Sequence, residues 1–111
     1  MKTKMFETIL NVVSEVTEVK PEDVLSKCKD DDKLEARILF VWFCNLNGMH
    51  VPDIMRFLGR KSESSVTDKI RDYHSWSATS TMFRCYAKRI ASILPARLEE
   101  VTESAQLSPH P

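Results

Sequence analysis

VPDIMRFLGRKSESSVTDKIRDY, residues 51–73, is the stretch that decides the fold. Pro52 stands at a first helical position, where its missing N–H would have no intrahelical partner in any case and its fixed φ suits the helix. Ile54, Phe57 and Leu58 give a short inward face, and Gly59 is a natural stop. After Arg60 and Lys61, Ser62 is placed to cap a second helix that runs to about Tyr73, with Val66, Ile70 and Tyr73 at helical spacing. A helix over 52–58, a turn over 59–62 and a helix over 63–73 form a helix-turn-helix. Ile54 and Leu58 are expected to pack on Val66 and Ile70. That leaves Glu63, Ser64, Thr67, Asp68 and Arg71 on the outer side, where a helix enters a major groove.

The flanking sequence is helical too. Phe6, Ile9, Leu10, Val13 and Val16 recur at steps of three and four, the period of one apolar stripe, with Thr3 as the expected cap. Lys20-Pro21-Glu22-Asp23-Val24-Leu25 reads as a short helix with acids in its first turn, where the free amides and dipole favour them. A polar connection, SKCKDDD (26–32), supplies aspartates to cap a third helix from Lys33 to about Asn47. Leu34, Ile38, Val41, Trp42 and Leu46 form one face of that helix. Leu39, Phe40 and Phe43 widen the face until the helix is nearly surrounded, which makes it central. Asn47-Gly48 ends it. A last helix is expected after Thr79 or Ser80, inward through Phe83, Tyr86 or Ala87, Ile90 and Ile93 or Leu94, with Pro95 opposing its continuation. Residues 99–111 carry too little apolar content to pack and read as a disordered tail beyond a single domain over 1–98.

Composition narrows the classes. The chain has 111 residues, enough to bury one core without staples. Cys28, Cys44 and Cys85 are far apart and lack a Cys-x-x-Cys pair, so neither a disulfide framework nor a zinc cage is indicated, and a reducing cytoplasm fits. Glu7 and Glu15 interrupt the N-terminus before any signal-peptide core forms, and the longest apolar run, ILFVWFC (38–44), is far below the roughly 20 residues a bilayer needs. His50 and His74 have no partners at ligand spacing and His110 lies in the tail. No acid, base and nucleophile assemble into a catalytic set. The expectation is therefore a non-enzyme with no cofactor, metal, nucleotide or membrane partner. Net charge is zero, yet residues 51–98 hold nine Lys/Arg against four Asp/Glu, so the positive half coincides with the helix-turn-helix.

Over residues 9–98 the chain resembles the C-terminal DNA-binding domain of the bacterial replication initiator DnaA. The residues that carry the likeness are VKPEDVLSKCK, at the place of a short helix and basic loop; EARILFVWF, at the place of a long central helix that begins with Ala36-Arg37; and VPDIMRFLGRKSESSV, which follows the family signature in length and order. The resemblance implies an all-α, compact helical bundle containing a helix-turn-helix, similar to the DnaA C-terminal domain and Trp-repressor-like folds. It implies double-stranded DNA as partner. It places Ser26, Lys27 and Lys29 in a loop near DNA backbone and minor groove, Arg37 at a DNA-contacting arginine, and Lys61, Ser62, Glu63, Ser64 and Ser65 on the major-groove surface, with Val66 buried behind them. Cys28, Met55, Arg60 and the Ser62-Glu63 pair depart from the family pattern and point away from the initiator's usual box. No Gly-rich loop ending in Gly-Lys-Ser/Thr is present, so the expectation is a DNA-binding module standing alone, as a small regulator of transcription or a replication-associated factor.

Each assignment has a plainer counterpart. Lys27, Lys29, Arg37, Arg60 and Lys61 collect phosphates if they converge, or are an ordinary charged surface beside Asp30, Asp31 and Asp32. Ser62 reads as a cap before it reads as a base contact. Thr67, Asp68 and Arg71 form a second tier on the same helix. The alternative function is a protein-interaction or adaptor module on the same fold, suggested by zero net charge, Glu63 on the presumed reading surface and the acidic tail.

Overall fold

In a computed structural model the described residues are Lys2–Gln106 for the backbone and 3–101 for side chains. They form six helices: α1 (Lys2–Thr17), α2 (Pro21–Leu25), α3 (Asp31–Leu46), α4 (Val51–Leu58), α5 (Ser64–Thr79) and α6 (Thr81–Gln106). No strand occurs among them. The α1 stripe is buried as expected, and Val12 joins it, fully buried. Thr3 lies inside α1 rather than capping it. The helix ends where Glu18 takes a left-handed φ of 61° and the Ser14 hydroxyl donates to the Val19 carbonyl (2.7 Å).

The central position of α3 follows from its sequence. Ala36, Ile38, Leu39, Phe40, Val41, Phe43 and Cys44 are all buried, and α1, α2, α4 and α5 pack around them. The helix begins two residues earlier than expected, at Asp31. Asp31 and Asp32 thus occupy its first turn, and Asp30, at the N-cap, makes no side-chain cap bond. Acids there act through the dipole and free amides. Leu46, expected on the inner face, is 63% exposed.

The turn chemistry of α4 is as expected. Gly59 takes φ 69°, its N–H donates to the Arg56 carbonyl, and the Arg60 N–H reaches back to the Met55 carbonyl (2.9 Å), a Schellman closure that a Cβ would strain. Ile54, Leu58 and Val66 are buried between α4 and α5, and Ile70 packs against the core cluster.

Two ends differ from expectation. α5 runs to Thr79, six residues past Tyr73, because Tyr73 stacks on Trp42 (ring centroids 4.0 Å) and Trp76 packs on Phe83 (5.8 Å), so the later turns bury aromatic surface. α6 begins at Thr81, with the Ser80 hydroxyl accepting the Phe83 N–H (3.1 Å). It does not stop at Pro95. Leu94 beside the proline is 2% exposed, and Arg97 beyond it makes a two-pronged ion pair with Glu15 of α1 (2.9 and 3.1 Å). These contacts offset the lost ladder bond. The stretch from 99, expected as tail, continues as helix to Gln106, and residues 107–111 lie outside the described part. Among the described residues no helix is long and apolar enough to cross a membrane.

Candidate nucleic-acid interface

The loop after α2 is built around one buried guanidinium. Arg37 is 2% exposed; its Nε donates to the Val24 carbonyl (2.8 Å), Nη1 to the Cys28 carbonyl (2.9 Å), and Nη2 to the Asp23 carbonyl and the Ser26 hydroxyl (both 3.2 Å). A planar fork of fixed donors suits this task, because the last carbonyls of a helix lack intrahelical partners. Arg37, expected at a DNA-contacting position, is thus buried, and it shapes the loop that carries Lys27 and Lys29.

Arg60 ties a second element to the same loop. Its Nη2 donates to the Ser26 carbonyl (2.8 Å) and its Nη1 to the Leu58 carbonyl (2.9 Å), so the α4–α5 turn is fastened to the α2–α3 connection. Arg60 stands at a glycine of the resembled signature, and here the side chain acts as a clamp. Lys27, Lys29, Leu34, Arg37, Arg60 and Lys69 line one cleft of about 320 Å³. Lys27 and Lys29 are exposed at its edge.

The convergence leaves an electrostatic signature. Lys69 has its pKa lowered, first by burial and then by the charges of Arg37 and Arg60. Arg37 is likewise pushed down by burial and by Arg60. The nearby guanidinium charges thus favour the neutral form of Lys69, and the same positive field is what an incoming anion meets. Lys69 was missed in the sequence, although it lies one turn past Ser65, whose carbonyl its Nζ donates to at 3.2 Å. Only the fold brings it beside the loop.

The N-terminal part of α5 leaves its expected outer face open. Ser62, Glu63, Ser64, Thr67, Asp68 and Arg71 are exposed, Ser65 is half-buried and Val66 is fully buried. Ser62 Oγ accepts the Ser64 N–H (3.2 Å) and lies 2.7 Å from Ser64 Oγ, but Glu63 rather than Ser62 holds the N-cap position of α5 and makes no side-chain cap bond, so Ser62 ties the turn that leads into the helix. Ser65 donates to the Ser62 carbonyl (2.8 Å), and Thr67 to the carbonyl of Ser64 (3.2 Å). Arg71 pairs with Asp68 (3.2 Å) on the surface. Lys61 is exposed on the turn between this face and the cleft but does not line the cleft.

The acidic run beside the basic loop is partly engaged: Lys33 lies 3.7 Å from Asp30 and 3.9 Å from Asp23. No group of three or more His, Cys, Asp or Glu that could hold a metal ion occurs among the described residues. Burial raises the Cys44 thiol well above its usual pKa, which keeps it an inert core group.

No protein-family model matches the chain. The chain spans less than a fifth of the length of the curated relative it matches. That relative is the chromosomal replication initiator protein DnaA of Campylobacter concisus (strain 13826), to which the chain is 28% identical over 78 residues, 69% of this chain and 18% of that protein; the likeness is partial, and it falls on an all-α fold consistent with a DNA-binding helical domain.

Proposed function

We propose that this chain binds double-stranded DNA, with the N-terminal half of α5 in the major groove and the backbone held at the basic cleft. The observation that carries this reading is the meeting of Lys27, Lys29, Arg60 and Lys69 around one cleft, adjoining a helix whose outer residues are short and hydrogen-bonding. In this reading Lys27, Lys29, Lys61 and Lys69 contact phosphates, and Arg37 and Arg60 act by holding the loop and through their field. Ser64, Thr67 and Arg71 present groups to base edges, with Ser62 and Ser65 behind them at the helix start. Glu63 and Asp68 restrict what is read: a carboxylate accepts from cytosine N4 and repels phosphate. The role that fits is a DNA-binding factor in transcription regulation or replication.

The test is a titration of duplex DNA at two salt concentrations. Affinity is expected to fall steeply with salt. K27E/K29E is expected to weaken binding across all sequences and to flatten the log–log slope by about one for each phosphate no longer neutralised. Absence of binding at low salt defeats the reading.

The adaptor reading, with a protein rather than DNA as partner, is favoured by one observation: Glu63, Asp68 and Arg71 together give the reading face no net positive charge. Selection from a random duplex library separates the two, because an adaptor enriches nothing.

A further inference from the structure

On α3, α5 and α6 a furrow shares no residue with the basic cleft. Its larger part, about 660 Å³, has Trp42, Phe43 and Leu46 on one side and Ala87 and Ala91 on the other, and a smaller part of about 120 Å³ carries it on past Ala91 to Pro95. Phe43, Leu46 and Ala91 line both parts, and Leu46, 63% exposed, is one of two large apolar side chains left open to water among the described residues. One wall is α6, so the furrow follows that helix from Thr81 to Pro95, about 21 Å at helical rise.

The charges along α6 indicate what fills it. Arg84 and Lys88 are exposed on the furrow's rim, and the Arg84 guanidinium is anchored by a 2.6 Å bond to the Ser77 carbonyl. Toward the other end, Glu99 and Glu100 are exposed. On a helical wheel Arg84, Lys88, Ala91, Pro95 and Glu99 fall within one stripe, with small Ala91 near its middle. Arg84 and Glu99 stand at equal distances on either side of the Ala91–Ser92 peptide. A stripe that is basic at one end, acidic at the other and small at its centre is complementary to itself when reversed.

We propose that this face pairs with a second copy of the chain, α6 against α6 in antiparallel, about a two-fold axis near Ala91 and Ser92. Each Arg84 then meets the second copy's Glu99, and each Leu46 is covered. A two-fold contact uses the same patch on both subunits, so each charge pair occurs twice. The pairing does not require DNA and is independent of the DNA reading.

The experiment is sedimentation of the full chain, without DNA, from micromolar to millimolar concentration, with folding checked by circular dichroism. The wild type is expected to dimerise, R84E and E99R each to weaken the dimer at least tenfold, and R84E/E99R to restore it. Under mild oxidation A91C is expected to form a covalent dimer. The native Cys85 is not, because two copies lie roughly 20 Å apart along the paired helices, beyond disulfide reach. A chain monomeric at millimolar concentration overturns the proposal, as does a dimer indifferent to both single charge reversals or one cross-linked through Cys85.

Discussion

At position 37 a guanidinium that looks like a surface contact in the sequence spends its donors on the Val24, Cys28 and Asp23 carbonyls and the Ser26 hydroxyl. Truncating a buried donor strands its acceptors, and lysine cannot reproduce the planar fork. Arg37→Lys is therefore expected to lower stability by about 2–3 kcal/mol, seen as a shifted urea midpoint, and to weaken DNA binding because the loop bearing Lys27 and Lys29 loses its support. The Ala36-Arg37 pair was visible in the sequence as part of a resemblance. Its burial was not, since burial depends on α2 and the 26–29 loop folding back over the head of α3. Ser62 is the opposite case. Its bond to the Ser64 N–H depends only on the two residues that follow, so a hydroxyl tying the start of α5 was legible locally, although the helix begins one residue later than expected, with Glu63 at its N-cap.

At the scale of elements, the proline starts of α2 and α4 and the glycine stops were readable because Pro at a first turn and left-handed glycine are local chemistry, whereas Thr3 does not cap α1 and α3 starts two residues early. Gly48 (φ 87°) and Gly59 (φ 69°) end α3 and α4 where their sequence says they should. The misjudged ends are those of α5 and α6, where distant contacts outweigh a local signal. Helix α6 continues through Pro95 because Leu94 is buried and Arg97 is held by Glu15 on α1. The Ala91 carbonyl still lacks the N–H that residue 95 would normally donate. Pro95→Ala is expected to restore that bond and raise stability by about 1–2 kcal/mol. Calorimetry decides it: an unchanged or lowered Tm means that the proline is built into the packing.

At the scale of the whole molecule, the basic cleft opposes stability, since Lys27, Lys29, Arg37, Arg60 and Lys69 are brought together from the α2–α3 loop, α3, the α4–α5 turn and α5. Lys69 shows the conflict. Its pKa is lowered in the fold by burial and by Arg37 and Arg60, so between that depressed value and the ordinary 10.5 the unfolded chain binds more protons than the native one. The Lys69 contribution to stability therefore rises with pH across that window, and its full penalty is present below it. Lys69→Met is expected to be more stable than wild type at pH 7, to lose that advantage as pH approaches 10.5, and to bind DNA less tightly at low salt. Thermal melts at the two pH values together with a DNA titration test it, and equal or lower stability at pH 7 refutes it.

What the sequence alone determined was the helical class, the proline starts, the glycine turns and most of the apolar faces, all of which follow from periodicity and from interactions within a few residues. What only the tertiary structure decided was which cations share a cleft, that Arg37 turns inward, that Lys69 belongs with the loop, and that α5 and α6 outrun their local stop signals. The physical reason is range. Backbone preference and helical period act over one or two turns, whereas burial and the field of converging charges depend on residues tens of positions apart in the chain, and no local pattern encodes their distance.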